Sequence, residues 1–113
     1  MFVTQTIEWN DFAKVDMRVG KITNVDTFPE ARKPAYILTI DFGELGSRKA
    51  SAQVTNYTKE ELLDREIVAV VNFPVKQIGR IMSEVLVLGG VENDGTVHLL
   101  KPDPDCEVGS RIG

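Results

Sequence analysis

The sequence predicts an all-β fold. Short apolar runs recur along the chain with turn-forming residues between them. A single segment, 58–65, carries the marks of a regular helix of more than one turn. The 113 residues, 42% hydrophobic and 27% charged, show no linker, repeat or low-complexity stretch, so the expectation is one domain spanning 1–113.

Residues 8–14 (EWNDFAK) suit one short helical turn with Asn10 as its N-cap. The first strand follows over 17–25. Met17 and Val19 alternate, but the next apolar residues are Ile22 and Val25. The phase slips at Gly20, which predicts a bulge or sharp bend there. After the turn-like stretch 28–34 comes a β-rich run, 35–43, ended by Gly43. Residues 47–54 then alternate, with Ala50, Ala52 and Val54 on one face and Lys49, Ser51 and Gln53 on the other.

Thr58 and Glu61 form a capping-box pair opening a helix over 58–65, with Leu62 and Leu63 available to the core. Residues 67–73 (IVAVVNF) read as a strand buried on both sides. Further strands are expected over 85–90 and 95–100, the second entered through the turn pair Asp94-Gly95. Gly89-Gly90 reads as a turn because no helix opens after it. Three strands, one helix and further strands is the order of an OB-fold, a small Greek-key β-barrel with a short helix between strands 3 and 4. The terminal segments are additions to it.

Charge and motif content exclude several functions. The formal net charge is −4, too acidic for nucleic-acid binding by bulk charge. The middle of the chain, 14–80, is net positive, so a basic patch is confined there. Cys106 is the single cysteine, which rules out an intramolecular disulfide and suits a reducing, cytoplasmic setting. No apolar run approaches the roughly 18 residues of a membrane span. The single histidine, His98, sits in a strand far in sequence from any plausible nucleophile, so it reads as structural. Asp103 and Asp105 lie among prolines and read as a solvated tail rather than metal ligands. No phosphate loop is present. The expectation is a protein that is not an enzyme and needs no cofactor or metal.

Two constellations remain. Phe73, Pro74, Val75, Ile78, Ile81 and Met82 lie in a segment broken by proline and glycine, expected to be neither regular helix nor strand. It reads either as an apolar binding surface, with Phe28 and Tyr36 adjoining, or as a plug or dimer contact. The second constellation is polar: Arg32, Lys33, Arg48, Lys49, Gln53, Asn72, Lys76, Arg80 and Ser83. OB-folds bind oligonucleotides on such a face, and ordinary solvated charges give the same pattern.

DFAKVDMRVGKI (11–22), SAQVTNYT (51–58), IVAVVN (67–72) and Gly79 followed by SEVLVL (83–88) resemble the tRNA-binding OB-fold domain family. The resemblance covers residues 10–112. FPEARKPAYILTIDFG (28–43), NFP (72–74) and SEVLVLGG (83–90) are most similar to its branch of CsaA-type secretion chaperones. The tRNA-binding members tend to carry His-Pro-x-Ala-Asp-(Arg/Lys)-Leu where this chain has Phe28 to Ala35. They tend to carry Ser-Glu-Gly-Met where it has Ser83 to Leu86. The resemblance therefore implies an ATP-independent chaperone for unfolded or precursor polypeptides, linked to protein export and able to contact the export machinery. Binding of tRNA, with no catalysis, is the alternative. It also implies a homodimer, with Phe2, Ile7, Trp9, the stretch 97–100, Val108 and Ile112 as interface candidates.

Overall fold

The computed structural model describes residues 4–113. Among them, helix α1 (Trp9–Ala13) leads into β1 (Met17–Thr27), β2 (Tyr36–Asp41) and β3 (Ser47–Ala52). Helix α2 (Lys59–Leu62) follows, then β4 (Glu66–Val70), β5 (Lys76–Ile78) and β6 (Ile81–Ser83). The remaining strands are β7 (Leu86–Val87), β8 (Gly89–Val91) and β9 (Val97–Leu99).

Five strands form one antiparallel sheet in the order β3-β2-β1-β4-β7. The length of β1, 11 residues, lets it serve two partners. Its first half pairs with β4 and its second with β2, so Lys21 faces both Glu66 and Asp41. The sheet curls until β3 meets the segment entering β7. There the Glu84 N–H donates to the Lys49 carbonyl at 2.8 Å, and the Lys49 N–H donates to Glu84 Oε1 at 3.1 Å. The Ser51 N–H donates to Ser83 Oγ at 3.2 Å. These bonds bring the sheet to a nearly closed OB-fold barrel, as the element order predicts.

Ile22, Leu38, Ile40, Phe42, Ala50 and Ile67 fill the barrel, and Leu62 of α2 joins them. Thr58 caps α2 as expected: its hydroxyl accepts from the Glu61 N–H, and Glu61 Oε1 accepts from the Thr58 N–H. The helix stops at Leu62, however, because Leu63 is extended (φ −61°, ψ 133°) and Asp64 is left-handed (φ 65°). Leu63 is consequently 48% exposed and no core residue.

Four further local expectations need correcting. The N-cap of α1 is Glu8, not Asn10; Glu8 and Asp11 form its capping box. The bulge in β1 falls at Thr23, between the pairs Ile22–Ile40 and Asn24–Thr39, rather than at Gly20. Gly20 is glycine for lack of room: a Cβ there would lie 2.5 Å from Ile40 Cγ2 and 2.6 Å from Phe42 Cε1. Gly89 and Gly90 lie in β8, paired with Leu99 and His98. A Cβ on Gly89 would strike Val97 Cγ1 at 2.6 Å, so this glycine too admits a neighbouring strand.

The fourth correction concerns 76–83, expected to be irregular. It is a β5–β6 hairpin pairing Lys76 with Ser83, Gln77 with Met82 and Ile78 with Ile81. Gly79 takes φ +58° at the first turn position while Arg80 does not share a positive φ, the pattern of a II′ hairpin. The short span, with glycine in its middle, hides the period-2 signal.

Residues 109–112 run along the outer edge of the first half of β1. The Val19 N–H donates to the Ser110 carbonyl (2.9 Å), and the Gly109 N–H donates to the Val19 carbonyl (2.8 Å). The Ile112 N–H donates to the Met17 carbonyl (2.8 Å). Arg18 holds this strap from the side, donating through Nη1 to the Gly109 carbonyl (3.1 Å) and through Nε to Asp16 (2.6 Å). The Arg18 hydrogen bond, opposed by burial and helped by the charges of Arg18 and Arg111, holds the Asp16 carboxyl below its ordinary value.

Candidate functional site

The β5–β6 hairpin runs alongside β3, and its Ile81 packs with Ile37 of β2, which points away from the barrel interior. Phe28, Ala35, Ile37 and Ile81 form a small second core there, with Ile78 partly buried against it. Strand alternation divides the apolar segment in two. Ile81 is 7% exposed and Phe28 is buried, so neither side chain is offered to a ligand. Tyr36 is half-buried and donates its hydroxyl to the Tyr57 carbonyl at 3.0 Å. Phe73 (55% exposed), Val75 and Met82 lie at the surface. Part of the segment thus packs into the second core, and part remains accessible apolar surface.

Phe73, Pro74, Ile78, Val85 and Leu86 line an open groove of about 390 Å³, with Ser51, Lys76, Ser83 and Glu84 as its polar members. Leu86 is 50% exposed on the outside of β7. Sequence reading missed Leu86 because 85–90 looked like an uninterrupted core strand. No alternation in the sequence marks it, since 85–88 are all apolar; the structure alone separates buried Val85 from exposed Leu86.

The polar candidates separate by what already holds them. Asn72 is a tie: Nδ2 donates to the Lys14 carbonyl (2.7 Å) and Oδ1 accepts from the Asp16 N–H (3.0 Å). Ser83 closes the barrel seam through Ser51. Arg80 pairs with Glu30 and lies over the Phe28 ring at 5.9 Å. Arg48 donates to the Leu45 carbonyl at 3.3 Å. Arg32, Lys33, Lys49, Gln53 and Lys76 are exposed, and their cations enter no ion pair among the described residues. Lys76 reaches the apolar groove directly, and Arg32 lines a separate depression with Pro29, Pro34 and Tyr36.

Of the interface candidates, Ile7, Trp9 and Leu100 are exposed, as is Val91, which sequence reading did not single out. Leu99 is core, Val97 packs against the core, and Val108 and Ile112 are half-buried beside the strap. Phe2 lies outside the described residues. No group of three histidine, cysteine or carboxylate side chains is placed to hold a metal ion among the described residues. No helix there is long and apolar enough to cross a membrane.

Residues 17–111 match the family model described as a putative tRNA binding domain. The methionine–tRNA ligase of Thermococcus onnurineus is 33% identical over 106 residues, 94% of this chain but 14% of the ligase. The chain thus spans about one-seventh of the length of that relative. A crystal structure of the CsaA chaperone protein from Picrophilus torridus is 54% identical with a TM-score of 0.90, over 96% of this chain and 100% of that one. A chaperone CsaA from Bacillus anthracis is 47% identical with a TM-score of 0.91, over the same shares. The motifs, the barrel and these matches agree: the chain belongs to the tRNA-binding domain family and is of the CsaA type.

Proposed function

We propose that the chain is an ATP-independent chaperone that binds unfolded or precursor polypeptides in the cytoplasm and hands them to the export machinery. One observation carries this reading: the open groove of Phe73, Pro74, Ile78, Val85 and Leu86. An apolar concavity left in water favours apolar side chains of a chain that has not yet buried its own. Lys76 at its rim adds attraction for acidic or carbonyl groups. In this reading, binding and release need no chemical step.

The same reading includes a homodimer. Ile7, Trp9, Val91 and Leu100 are large apolar side chains left exposed outside the groove, and a second copy is the partner implied by family resemblance. Two grooves per dimer raise avidity for a long unfolded chain without demanding tight binding at each.

The replacement pair Phe73→Ser with Leu86→Ser tests the groove. Both side chains are about half exposed, so the fold tolerates the change. Suppression of aggregation of a chemically denatured reporter enzyme should fall severalfold. Unchanged suppression by the folded double variant refutes the groove.

A second reading, tRNA binding, is favoured by the family match and by the exposed cations Arg32, Lys33, Lys49 and Lys76. Its signature is steep salt dependence, because each neutralised phosphate releases counterions. Anisotropy of labelled bulk tRNA at low and near-physiological salt decides it. Saturable binding lost on Lys49→Glu with Lys76→Glu assigns an RNA surface; no binding at either salt removes this reading.

A further inference from the structure

The sheet order leaves β3 and β7 as the two ends of an incompletely closed barrel. Ser83 and Glu84 join them at one end, bonding Ser51 and Lys49. Those bonds fix the alternation along β3: Lys49 and Ser51 turn their backbone groups away from β2. Antiparallel geometry sends those of Gln53 the same way. The Ser51 carbonyl and both backbone groups of Gln53 find no backbone partner among the described residues. On the opposite side, the Leu88 N–H donates to the Val68 carbonyl at 2.9 Å. The preceding Val87, opposite Ala69, therefore directs its N–H and C=O away from β4 and into the seam.

Between these edges runs a second groove of about 470 Å³, lined on one side by Ser51–Val54, on the other by 86–89, and at its end by Val91, Gly95 and Val97 of the β8–β9 hairpin, beside the dimer face proposed above. It shares Ser51 and Leu86 with the apolar groove, so the two are continuous. Sheet edges are ordinarily blunted by proline, by charge or by a bulge. Residues 51–54 are Ser-Ala-Gln-Val and carry none of these.

We propose that this seam is a strand-addition site for an extended segment of polypeptide. The segment pairs its main chain with the Ser51 carbonyl and with both backbone groups of Gln53, the Ser51 N–H being held by Ser83, and lays alternate side chains toward Leu86 and Phe73. The inference rests on the peptide-binding reading and specifies what is read: the backbone by hydrogen bonds, and every second side chain by apolar contact. The exposed edge fixes the occupant's chemistry. Alternating N–H and C=O groups at strand spacing complement a peptide backbone, whereas a phosphate chain offers acceptors alone.

The test uses a fluorescein-labelled heptapeptide of alternating valine and threonine between terminal lysines, titrated with the intact protein. Two further versions carry N-methyl groups on the valine amides or on the threonine amides. In a paired strand one set of alternate amides faces the edge and the other faces away. The expected result is binding of the unmodified peptide, loss of about tenfold or more on methylation of the set that faces Ser51 and Gln53, and a smaller loss on methylation of the set that faces the single residue Val87. Absence of loss from both sets overturns strand addition while leaving peptide binding in place. Failure of the unmodified peptide to bind overturns both. Sedimentation of the complex supplies the last arm. A peptide-induced fall from a dimer to the 12.6 kDa chain mass assigns the seam to a second copy and overturns the proposal.

Discussion

Gly20→Ala sets two physical effects against each other, and the structure decides the sign. Gly20 is not among the residues with positive φ, so alanine fits its backbone. Backbone entropy alone then predicts stabilisation of about 0.4–1 kcal/mol, because alanine restricts the unfolded chain. The new Cβ, however, would sit 2.5 Å from Ile40 Cγ2 and 2.6 Å from Phe42 Cε1. Both neighbours are fully buried and cannot swing aside into solvent. Overpacking a core of this kind costs about 1–3 kcal/mol. The net expectation is destabilisation of about 0.5–2 kcal/mol, a substantial share of a small protein's total stability. Urea unfolding followed by far-UV circular dichroism measures it as a lower midpoint at constant slope. Gly90→Ala is the control: nothing lies within 4 Å of its Cβ position, and its φ is not positive. It should be neutral or slightly stabilising. A Gly20→Ala variant as stable as the parent would refute steric exclusion as the reason for glycine at that position.

Leu62→Ala should cost about 2–5 kcal/mol by emptying a fully buried site, whereas Leu63→Ala should stay within about 0.5 kcal/mol; chemical denaturation of the pair checks the end of α2. Thr58→Ala removes the hydroxyl that accepts from the Glu61 N–H and should cost about 1 kcal/mol, read as a fall in melting temperature. Glu84→Ala removes the carboxylate that accepts from the Lys49 N–H. It should cost about 0.5–1.5 kcal/mol and speed amide exchange at Lys49. Folding depresses the Asp16 carboxyl, so its contribution is present above the unfolded value near 3.8 and lost as pH falls through the lower folded value. Asp16→Asn should flatten that acid limb in melts taken across pH 2–5, and an unchanged limb would deny the Arg18 pairing its role.

Legibility in the sequence followed the length of the signal. The order of strands around one capped helix gave the barrel, because Val, Ile and Leu runs and the Thr58–Glu61 box are local features. The β5–β6 hairpin was hidden, since its strands have three residues each and its glycine resembles a break. Gly20 and Gly89 were misread for a different reason. Their cause is a neighbour distant in the chain, which spacing along the chain does not encode. The same blindness affected the site. Phe73 and Lys76 were visible as apolar and basic residues beside a strand end. Asn72 and Ser83 bear side chains of a binding type, yet they are occupied by backbone groups of Lys14, Asp16 and Ser51. Distinguishing a polar residue that binds a ligand from one that fastens a strand takes three-dimensional partners.

The strap over β1 also sets a timetable. Arg18 and Gly109 are 91 residues apart, yet they bond directly. At roughly 5–20 residues per second, the ribosome delivers Gly109 some 5–18 s after Arg18. Through that interval the outer edge of β1 stands open, and the barrel can reach no more than a provisional form. Contacts of such long range slow folding as well as delaying it. The nascent chain thus spends its first seconds with an open strand edge of its own, the same kind of feature that makes unfinished proteins sticky.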